Sequence, residues 1–392
     1  MVTLTTADNA LKNVYLGVVS EQLNTNINPL LAKIKQTTSD VWGKDIVKLA
    51  PYGLNGGVGA GSEDGDLPLA GGNTYAQFRL ALKNLYGKIE ISDKAIRASS
   101  SSAGAFVNLL NAEMEGLLRA SSYNFGRMLY GDGSGKLATI ASNTANQVVV
   151  DSVLNLMEGM MVDVVDDSGN VTEGYNAVRI SSINRATKTI TFQGKTSMTA
   201  NALQNKILVV QGSFNKEITG LGAIFKNTGS LYGLNRADYG WMIPYMRALD
   251  GEKDITDIIM QTAIDELEQN ADSKVDFIVC SAGVKRAYQE YLSQYRHNVE
   301  VMDLAGGYKA ISYNGIPLVS DRFVENGTMY LLNTKEFNLH QLCDWKWLEG
   351  EDGRVIRQNQ NKPTYSATLV KYADIICDKP SGQAKISNIL ES

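Results

Sequence analysis

The sequence predicts an α+β fold divided into several packed units, because three kinds of pattern follow one another along its 392 residues. Two strand-like segments that flank a glycine-rich stretch come first and predict a long hairpin. A single apolar stripe with helical spacing follows and predicts one long helix. The rest is a strand-rich segment and then a region in which helix and strand patterns alternate. A chain of this length exceeds one ordinary core, so two or three units are expected.

Composition narrows the class of protein. Hydrophobic residues make up 44% and charged residues 20%, which is typical of folded globular proteins. No apolar run approaches membrane-spanning length, and the first residues lack the basic start and apolar run of a secretory signal. Cys280, Cys343 and Cys377 each lie in an apolar run and are expected to be buried free thiols. The net charge of -5 argues against tight sequence-independent binding to nucleic acid.

The first hundred residues predict an arm and then a hairpin. Weak alternation of apolar and polar residues runs from Leu4 to Ile34, and residues 1–40 are interpreted as an N-terminal arm. Residues 41–98 are interpreted as an extended loop. Within the loop we expect strands at Val41 to Leu49 and at Tyr75 to Ile91. Between them, Pro51 to Thr74 is glycine-rich, acidic and almost devoid of large apolar residues. We expect this tip to be unable to bury itself.

Residues 99–137 predict a long helix and its end. Ser99 to Ser102 supply candidate N-caps. Apolar residues then recur at steps of three and four from Phe106 to Leu129, so that one face of the helix is apolar. The expected helix-terminating turn contains Gly131, Asp132, Gly133 and Gly135.

The remaining chain predicts an inserted β domain and an α/β lobe. Residues 138–216 are strand-rich and read as the insertion, and residues 217–326 alternate helix and strand. In the lobe, Asp254 is the expected cap of a helix, and Asn314-Gly315 is the strongest hairpin signal of the chain. Residues 327–379 hold three strands long enough for an elongated sheet, and residues 380–392 a last strand that returns to the lobe. The strands expected in the insertion are Gln147 to Val150, Met160 to Val165, Ala177 to Ile183, Thr187 to Phe192 and Lys206 to Val210.

Motifs for chemistry are incomplete throughout. Gly131 to Leu137 is one residue short of a phosphate loop and lacks its hydroxyl, and Gly56 to Gly61 lacks the third glycine of a dinucleotide fingerprint. His297 and His340 have no neighbour at metal-ligand spacing. Asp163, Asp166 and Asp167 fit no calcium loop and are expected to be solvated in a turn. We therefore predict no catalytic residue, no cofactor and no metal.

Several motifs occur in an order that resembles one family. Leu129-Tyr-Gly-Asp-Gly-Ser-Gly135 ends the long helix, and Gly220-Leu221 follows it after the inserted segment. Asn314-Gly-Ile-Pro-Leu-Val319 and Gly327-Thr-Met-Tyr-Leu-Leu332 come later. Together they resemble the major capsid proteins of tailed bacteriophages, whose fold is shared with herpesvirus capsid floors and encapsulins.

This resemblance implies a fold and a function. The fold would comprise an N-terminal arm, an extended β-hairpin loop, a spine helix plus long β-sheet in a peripheral domain, an α/β axial domain and the inserted small β domain. Residues 327–332 would re-enter the peripheral domain. The subunit would form hexamers and pentamers of an icosahedral head around double-stranded DNA, held with only weak non-specific contact. Expected contacts with neighbouring subunits involve Glu63, Asp64, Asp66 and Arg79 of the loop, with Glu113 and Arg119 on the spine helix.

The family also implies partners and a location. A portal and decoration proteins would accompany a homo-oligomeric shell, and the protein would be made in the host cytoplasm and reside in the virion, with no membrane contact. The short arm before the loop favours a separate scaffolding protein. No lysine lies between Lys48 and Lys83, so the lysine crosslinks that some family members form are not expected.

Two alternatives remain at the level of sequence. An encapsulin-type nanocompartment shares the fold but stores enzyme cargo, whereas the insertion and the chain length favour the phage shell. An α/β enzyme built on Asp254 to Val319 is the alternative from another class. The scarcity of histidine and the lack of an intact cofactor loop count against it.

Overall fold

The structure is a computed structural model that describes residues 28–95, 103–294, 301–303, 309–350 and 353–392. The predicted α+β class is confirmed, with few helices and many strands. Most of the predicted N-terminal arm and the capping serines at 99–102 lie outside the described residues. None of the described helices is both long and apolar enough to cross a membrane. The α-helices whose bounds the structure describes are α1 (Ala103–Met128), α2 (Leu221–Ile224), α3 (Asp257–Ala271) and α4 (Ala282–Gln294).

The predicted hairpin forms an antiparallel ladder in a three-stranded sheet. Its strands are β2 (Val41–Trp42), β3 (Asp45–Tyr52) and β4 (Thr74–Ala81), and β3 pairs with β4 over its whole length. The expectation of one strand from Tyr75 to Ile91 is wrong, because β4 ends at Ala81 and a second strand begins at Lys83. The Leu82 N–H makes the last bond to the opposite side of the hairpin, to the Lys44 carbonyl. Buried side chains occupy even positions before this break and odd positions after it. This change from even to odd positions marks the break between the two strands.

A five-stranded sheet packs beneath α1. Gly87 lies under the helix, where an added Cβ would come 2.9 Å from Leu117 Cδ1. The sheet follows the order β1-β20-β22-β21, with β5 also paired to β22. Its strands are β1 (Lys35–Thr37), β5 (Lys83–Ser92), β20 (Phe337–Trp347), β21 (Arg357–Gln358) and β22 (Thr364–Cys377).

The inserted segment is a closed six-stranded barrel with its own core, which includes Ile140, Ile190 and Leu208. The chain enters and leaves at one place, since the Asn215 N–H donates to the Ser134 carbonyl at 2.8 Å. The strands are β6 (Lys136–Asn143), β7 (Val148–Val150), β8 (Met161–Val165), β9 (Val178–Asn184), β10 (Thr189–Phe192) and β11 (Ile207–Val210).

The α/β lobe is built on a seven-stranded sheet in the order β14-β23-β19-β15-β18-β17-β16. A two-stranded ribbon, β12 (Ser230–Leu231) with β13 (Leu234–Asn235), precedes it. The large sheet contains β14 (Tyr245–Lys253), β15 (Phe277–Cys280), β16 (Val301–Asp303), β17 (Lys309–Tyr313), β18 (Ile316–Ser320), β19 (Met329–Leu332) and β23 (Ala384–Ile389).

Local predictions in this lobe have mixed outcomes. The Asn314-Gly315 hairpin is confirmed, with both residues at positive φ (49° and 77°) as a tight two-residue turn requires. The cap of α3 is Thr256 and not Asp254, because the Thr256 side chain accepts from the Ile259 N–H. Strand β19 lies between β15 and β23 of this sheet, so its expected place in the elongated peripheral sheet is wrong. Every residue of β19 is buried, as suits a central strand covered on both faces.

Two expectations about polar and sulfur groups need correction. Cys280 and Cys377 are buried free thiols, whereas Cys343 is partly exposed. Asp163 is not solvated: it is buried in the barrel, and its carboxylate accepts from the backbone N–H groups of Ala177 and Gly212. These two bonds replace the lost hydration of the charge.

Candidate assembly surface

Aromatic packing holds the β3–β4 ladder against the body of the protein as far as its tip end. Tyr52, at the end of β3, stacks on Trp241 with ring centroids 5.3 Å apart. Phe78 of β4 packs on Trp241 and on Tyr232 at 5.9 Å and 5.2 Å. The Arg79 N–H also donates to the Tyr232 carbonyl at 2.9 Å. Aromatic contacts of this kind, partly buried at Tyr52 and Trp241, hold the direction in which the tip projects.

Beyond Tyr52 and Thr74 the two sides of the hairpin no longer form a ladder, and residues 53–73 make the tip. Asn55 Nδ2 donates to Asn73 Oδ1 at 3.2 Å across the tip. The backbones touch at Gly57 and Gly71, since a Cβ added at Gly57 would come 2.7 Å from Gly71 N. Glycine is needed here for the close approach of two backbones.

The tip carries four apolar side chains that none of the described residues covers. Leu54, Val58, Leu67 and Leu69 are 97%, 89%, 88% and 91% exposed. The expectation that this segment cannot bury itself is confirmed, whereas its description as almost devoid of large apolar residues leaves out these four. Single exposed leucines are ordinary, but four on one projecting tip make a patch that a partner would be expected to cover. Covering each would stabilise a complex by roughly 2 kcal/mol.

The predicted loop residues divide between tip and root. Glu63, Asp64 and Asp66 are exposed on the tip, next to the apolar side chains. Arg79 is exposed on β4, close to the root, and is separated from them. The three carboxylates therefore lie within one four-residue stretch of the tip, and the arginine lies apart from them on β4.

The two predicted spine-helix residues are both exposed on α1. Arg119 lies 3.7 Å from Glu115, one turn earlier on the same helix. Arg119 is six positions after Glu113, which places the two side chains about 120° apart around the helix axis. They therefore present different faces.

The turn that ends α1 is held by backbone and side-chain hydrogen bonds. The Gly131 N–H donates to the Met128 carbonyl at 3.1 Å. Asp132 accepts from the Ser134 N–H at 3.0 Å and from Lys226 Nζ at 2.9 Å. Gly133 and Gly135 have φ of 84° and 78°, the left-handed region that glycine occupies without strain.

The Gly220-Leu221 segment, which follows the barrel in the sequence, packs against the same turn. The Leu221 N–H donates to the Leu129 carbonyl at 2.7 Å and the Gly222 N–H to the Tyr130 carbonyl at 3.2 Å. These bonds satisfy carbonyls that the end of a helix leaves without partners. A Cβ at Gly220 would come 2.6 Å from the Leu129 and Gly131 carbonyl oxygens, so the segment can pack here only with glycine.

Two buried carboxylic acids that the sequence did not reveal lie beside this turn. Burial raises the pKa of Asp374 to about 7, although its side chain accepts from the Thr219 N–H at 2.6 Å. Burial likewise raises the pKa of Asp321 to about 6, and Tyr130 Oη donates to it at 2.9 Å. Each acid joins the turn region to another part of the chain.

Groups suited to chemistry are sparse in the part of the chain that the structure describes. Within it, no three His, Cys, Asp or Glu side chains are grouped so that they could hold a metal ion. His340 lies on β20 with Nδ1 3.0 Å from the Ser39 carbonyl oxygen, which suits a structural contact. His297 lies outside the described residues. The feature with the clearest functional potential is therefore the exposed tip.

Solved structures with a similar fold match nearly the whole chain. A capsid chain of cyanophage A-1(L) matches with a TM-score of 0.53 and 12% identity over 95% of this chain and 92% of that one. The SrpI encapsulin of Synechococcus elongatus matches with a TM-score of 0.47 and 10% identity, over 95% of each chain. The capsid of Myoviridae phage XM1 gives 0.47 and 8% identity over 93% and 92%. No family model and no curated protein matches the sequence. The fold is therefore the capsid fold seen in cyanophage A-1(L).

Proposed function

We propose that this chain is the major capsid subunit of a tailed bacteriophage, a structural protein without catalytic activity. Copies of it form the hexamers and pentamers of an icosahedral head that encloses double-stranded DNA. The observation that carries the proposal is the tip at residues 53–73, where a rigidly anchored hairpin presents Leu54, Val58, Leu67 and Leu69 to solvent. The capsid fold over nearly the whole chain supports the same function.

The tip suits contact with a different surface of an identical subunit. Such a head-to-tail contact closes into a ring when the rotation between neighbours is a whole fraction of a turn. The expected contact residues are the tip carboxylates Glu63, Asp64 and Asp66, Arg79 at the root, and Glu113 and Arg119 on α1. The apolar tip residues supply the buried area.

Other partners follow from the role as a head subunit. A separate scaffolding protein directs shell size, a portal occupies one vertex, and decoration proteins bind outside. The net charge of -5 supports weak contact with packaged DNA, because few phosphates are neutralised. The protein is made in the host cytoplasm and resides in the virion.

Electron microscopy of the purified protein tests this proposal. We expect closed shells, or rings and sheets of subunits, from the wild-type chain. We expect unassembled subunits from Leu67→Asp/Leu69→Asp. Circular dichroism of that variant should match the wild type, because both side chains are already exposed. A small discrete oligomer that turns over a substrate would overturn the proposal in favour of an α/β enzyme.

One co-expression experiment and one expression of the chain alone separate the remaining alternatives. Shells that enclose a co-expressed ferritin-like or peroxidase cargo would favour an encapsulin-type compartment. Expression of the chain alone tests the scaffold: we expect particles of mixed size, and uniform shells of the correct size would contradict the need for a scaffolding protein.

A further inference from the structure

The five-stranded sheet beneath α1 has a second face that points away from the helix. Gly87 of β5 lies under α1, and Lys371 Nζ of β22 lies 5.2 Å from the centre of the Phe125 ring on that helix. Successive residues of a strand point to opposite faces. Tyr86 and Lys88, on either side of Gly87, therefore point away from α1. Tyr86 is 63% exposed there, and the Lys88 side chain is 54% exposed.

The register of the sheet brings further basic side chains to this second face. Directly opposed residues of neighbouring strands point to the same side of a sheet. Lys346 of β20 and Tyr86 of β5 pair with the same β22 residue, and Arg357 of β21 and Glu90 of β5 pair with another. The two shared β22 residues are Val370 and Ser366. Lys346 and Arg357 are both exposed.

Basic groups outnumber acidic groups on this surface. Glu90 accepts from Thr364 Oγ1 at 2.7 Å and lies 3.6 Å from Lys88 Nζ. The hydrogen bond from Thr364 lowers the pKa of Glu90, and the charges of Lys88 and Lys362 lower it further, so Lys362 is also near. We call this surface the basic strip; it comprises Tyr86, Lys88, Glu90, Lys346, Arg357, Lys362, Thr364, Ser366 and Thr368. Four basic groups thus lie around one carboxylate, in a chain whose net charge is -5.

The spacing and chemistry of the basic strip suit a row of phosphates. Strands lie about 4.8 Å apart and alternate residues about 6.8 Å apart, so the backbone at Lys88 lies roughly 12 Å from Lys346 and from Arg357. A DNA duplex carries one charge per about 1.7 Å of its axis and so presents phosphates to all three side chains. Tyr86 and Leu348 are the exposed large apolar residues at these positions, whereas a contact with protein usually centres on a cluster of them.

We propose that the basic strip contacts the phosphate backbone of the packaged DNA. The proposal rests on the proposed function and adds to it the surface through which the weak contact with DNA occurs. The sheet face opposite α1 then lines the interior of the head. The contact reads no sequence, because lysine and arginine bind phosphates here and not base edges. Glu90 limits its strength, since a carboxylate repels the phosphates that the strip attracts.

Fluorescence anisotropy with a short labelled DNA duplex and unassembled subunits tests this contact without requiring a shell. We expect Lys346→Glu/Arg357→Glu to weaken binding at low salt by about tenfold or more, and to reduce the slope of log affinity against log salt by about 2. The matched control, Lys253→Glu/Lys274→Glu, makes the same change of net charge at exposed positions of the α/β lobe and should leave both quantities unchanged. Equal losses from the two variants, or wild-type subunits that do not bind the duplex, would overturn the strip.

A gain of affinity gives a readout that misfolding cannot imitate. Glu90→Gln removes the one carboxylate of the strip and keeps an acceptor for the Thr364 hydroxyl. We expect this variant to bind the duplex about threefold more tightly than the wild type. Unchanged or weaker binding would count against a contact at this place.

Acetylation of lysines in particles tests whether the strip meets DNA inside the head. We expect Lys88 and Lys346 to react more slowly in DNA-filled heads than in empty ones, with Lys253 and Lys274 reacting equally in both. Equal reactivity of the strip lysines in the two kinds of head would overturn the contact while leaving the capsid proposal in place. Wild-type protein that never forms heads would instead count against the capsid function itself.

Discussion

Arg127 and Glu217 form a doubly hydrogen-bonded ion pair buried in the protein. Arg127 Nη1 donates to Glu217 Oε2 at 2.9 Å, and both side chains are almost fully buried. Arg127 lies in the last turn of α1, and Glu217 follows the exit of the chain from the barrel. The pair therefore fastens the insertion to the helix that precedes it, across 90 residues of sequence.

Removal of one partner of this pair should be costly. Glu217→Gln leaves the Arg127 charge buried without its counter-charge, so we expect the free energy of unfolding to fall by about 3 to 5 kcal/mol. Arg127→Met/Glu217→Leu should lose less than the sum of the two single changes, because no unpaired charge remains. Urea unfolding of unassembled subunits measures this difference, and simple additivity would contradict the coupling.

Stability should depend on pH through Asp374. Its folded pKa is raised to about 7 by burial, so the folded state holds this proton over a range in which the unfolded chain has lost it. The resulting stability is complete below the unfolded pKa near 3.9 and is lost as pH rises through about 7. We expect a decrease of up to about 1.4 kcal/mol per pH unit in that window.

Neutral variants test this pH dependence. Asp374→Asn keeps an acceptor for the Thr219 N–H, and unfolding measured from pH 4 to 8 should show a smaller slope than the wild type. Asp321→Asn should reduce the slope only up to about pH 6, where its own folded pKa lies. If the Asp374→Asn slope equals that of the wild type, another group is responsible.

Two glycine substitutions should have opposite effects. Gly220→Ala places a methyl group against the carbonyls that end α1, and we expect a loss of about 3 kcal/mol. Gly116→Ala, in the exposed middle of α1, meets nothing within 4 Å and should stabilise the protein by about 0.5 to 1 kcal/mol. Thermal unfolding of the two variants provides the comparison. Similar losses in both would show that the close approach at Gly220 is unimportant.

The inserted barrel should fold by itself. Its sheet is closed, its core is separate, and its ends meet through the bond from Asn215 to Ser134. We expect a fragment of residues 133–216 to unfold cooperatively and to give dispersed amide resonances. Leu208→Asp, which puts a charge into that core, should abolish both signals. A fragment without dispersed resonances would mean that α1 is needed to complete the barrel.

If the proposed capsid function holds, the assembled particles should contain no covalent crosslinks. The hairpin has no lysine between Lys48 and Lys83, so no side-chain amine is available on the tip. Purified particles boiled in denaturant should run as a single monomer band. Ladder-like bands that develop slowly and survive boiling would refute this expectation.

The sequence by itself determined the elements whose signal is local. The apolar stripe predicted α1 because helical spacing repeats within one segment. The Asn314-Gly315 turn and the long strands β20 and β22 were predicted from their own residues. The capsid fold was predicted because the order of these elements and their motifs resembles that of tailed-phage major capsid proteins.

Tertiary structure decided which strands become neighbours and which groups become buried. The break at Leu82 sends β5 to a sheet with β22, some 270 residues later, and β19 joins the lobe instead of the elongated sheet. Strand alternation states which faces are apolar but not which partner covers them. The same limit applies to Arg127 with Glu217 and to the exposed leucines of the tip. Burial depends on what the rest of the chain, or a second copy, places against each residue.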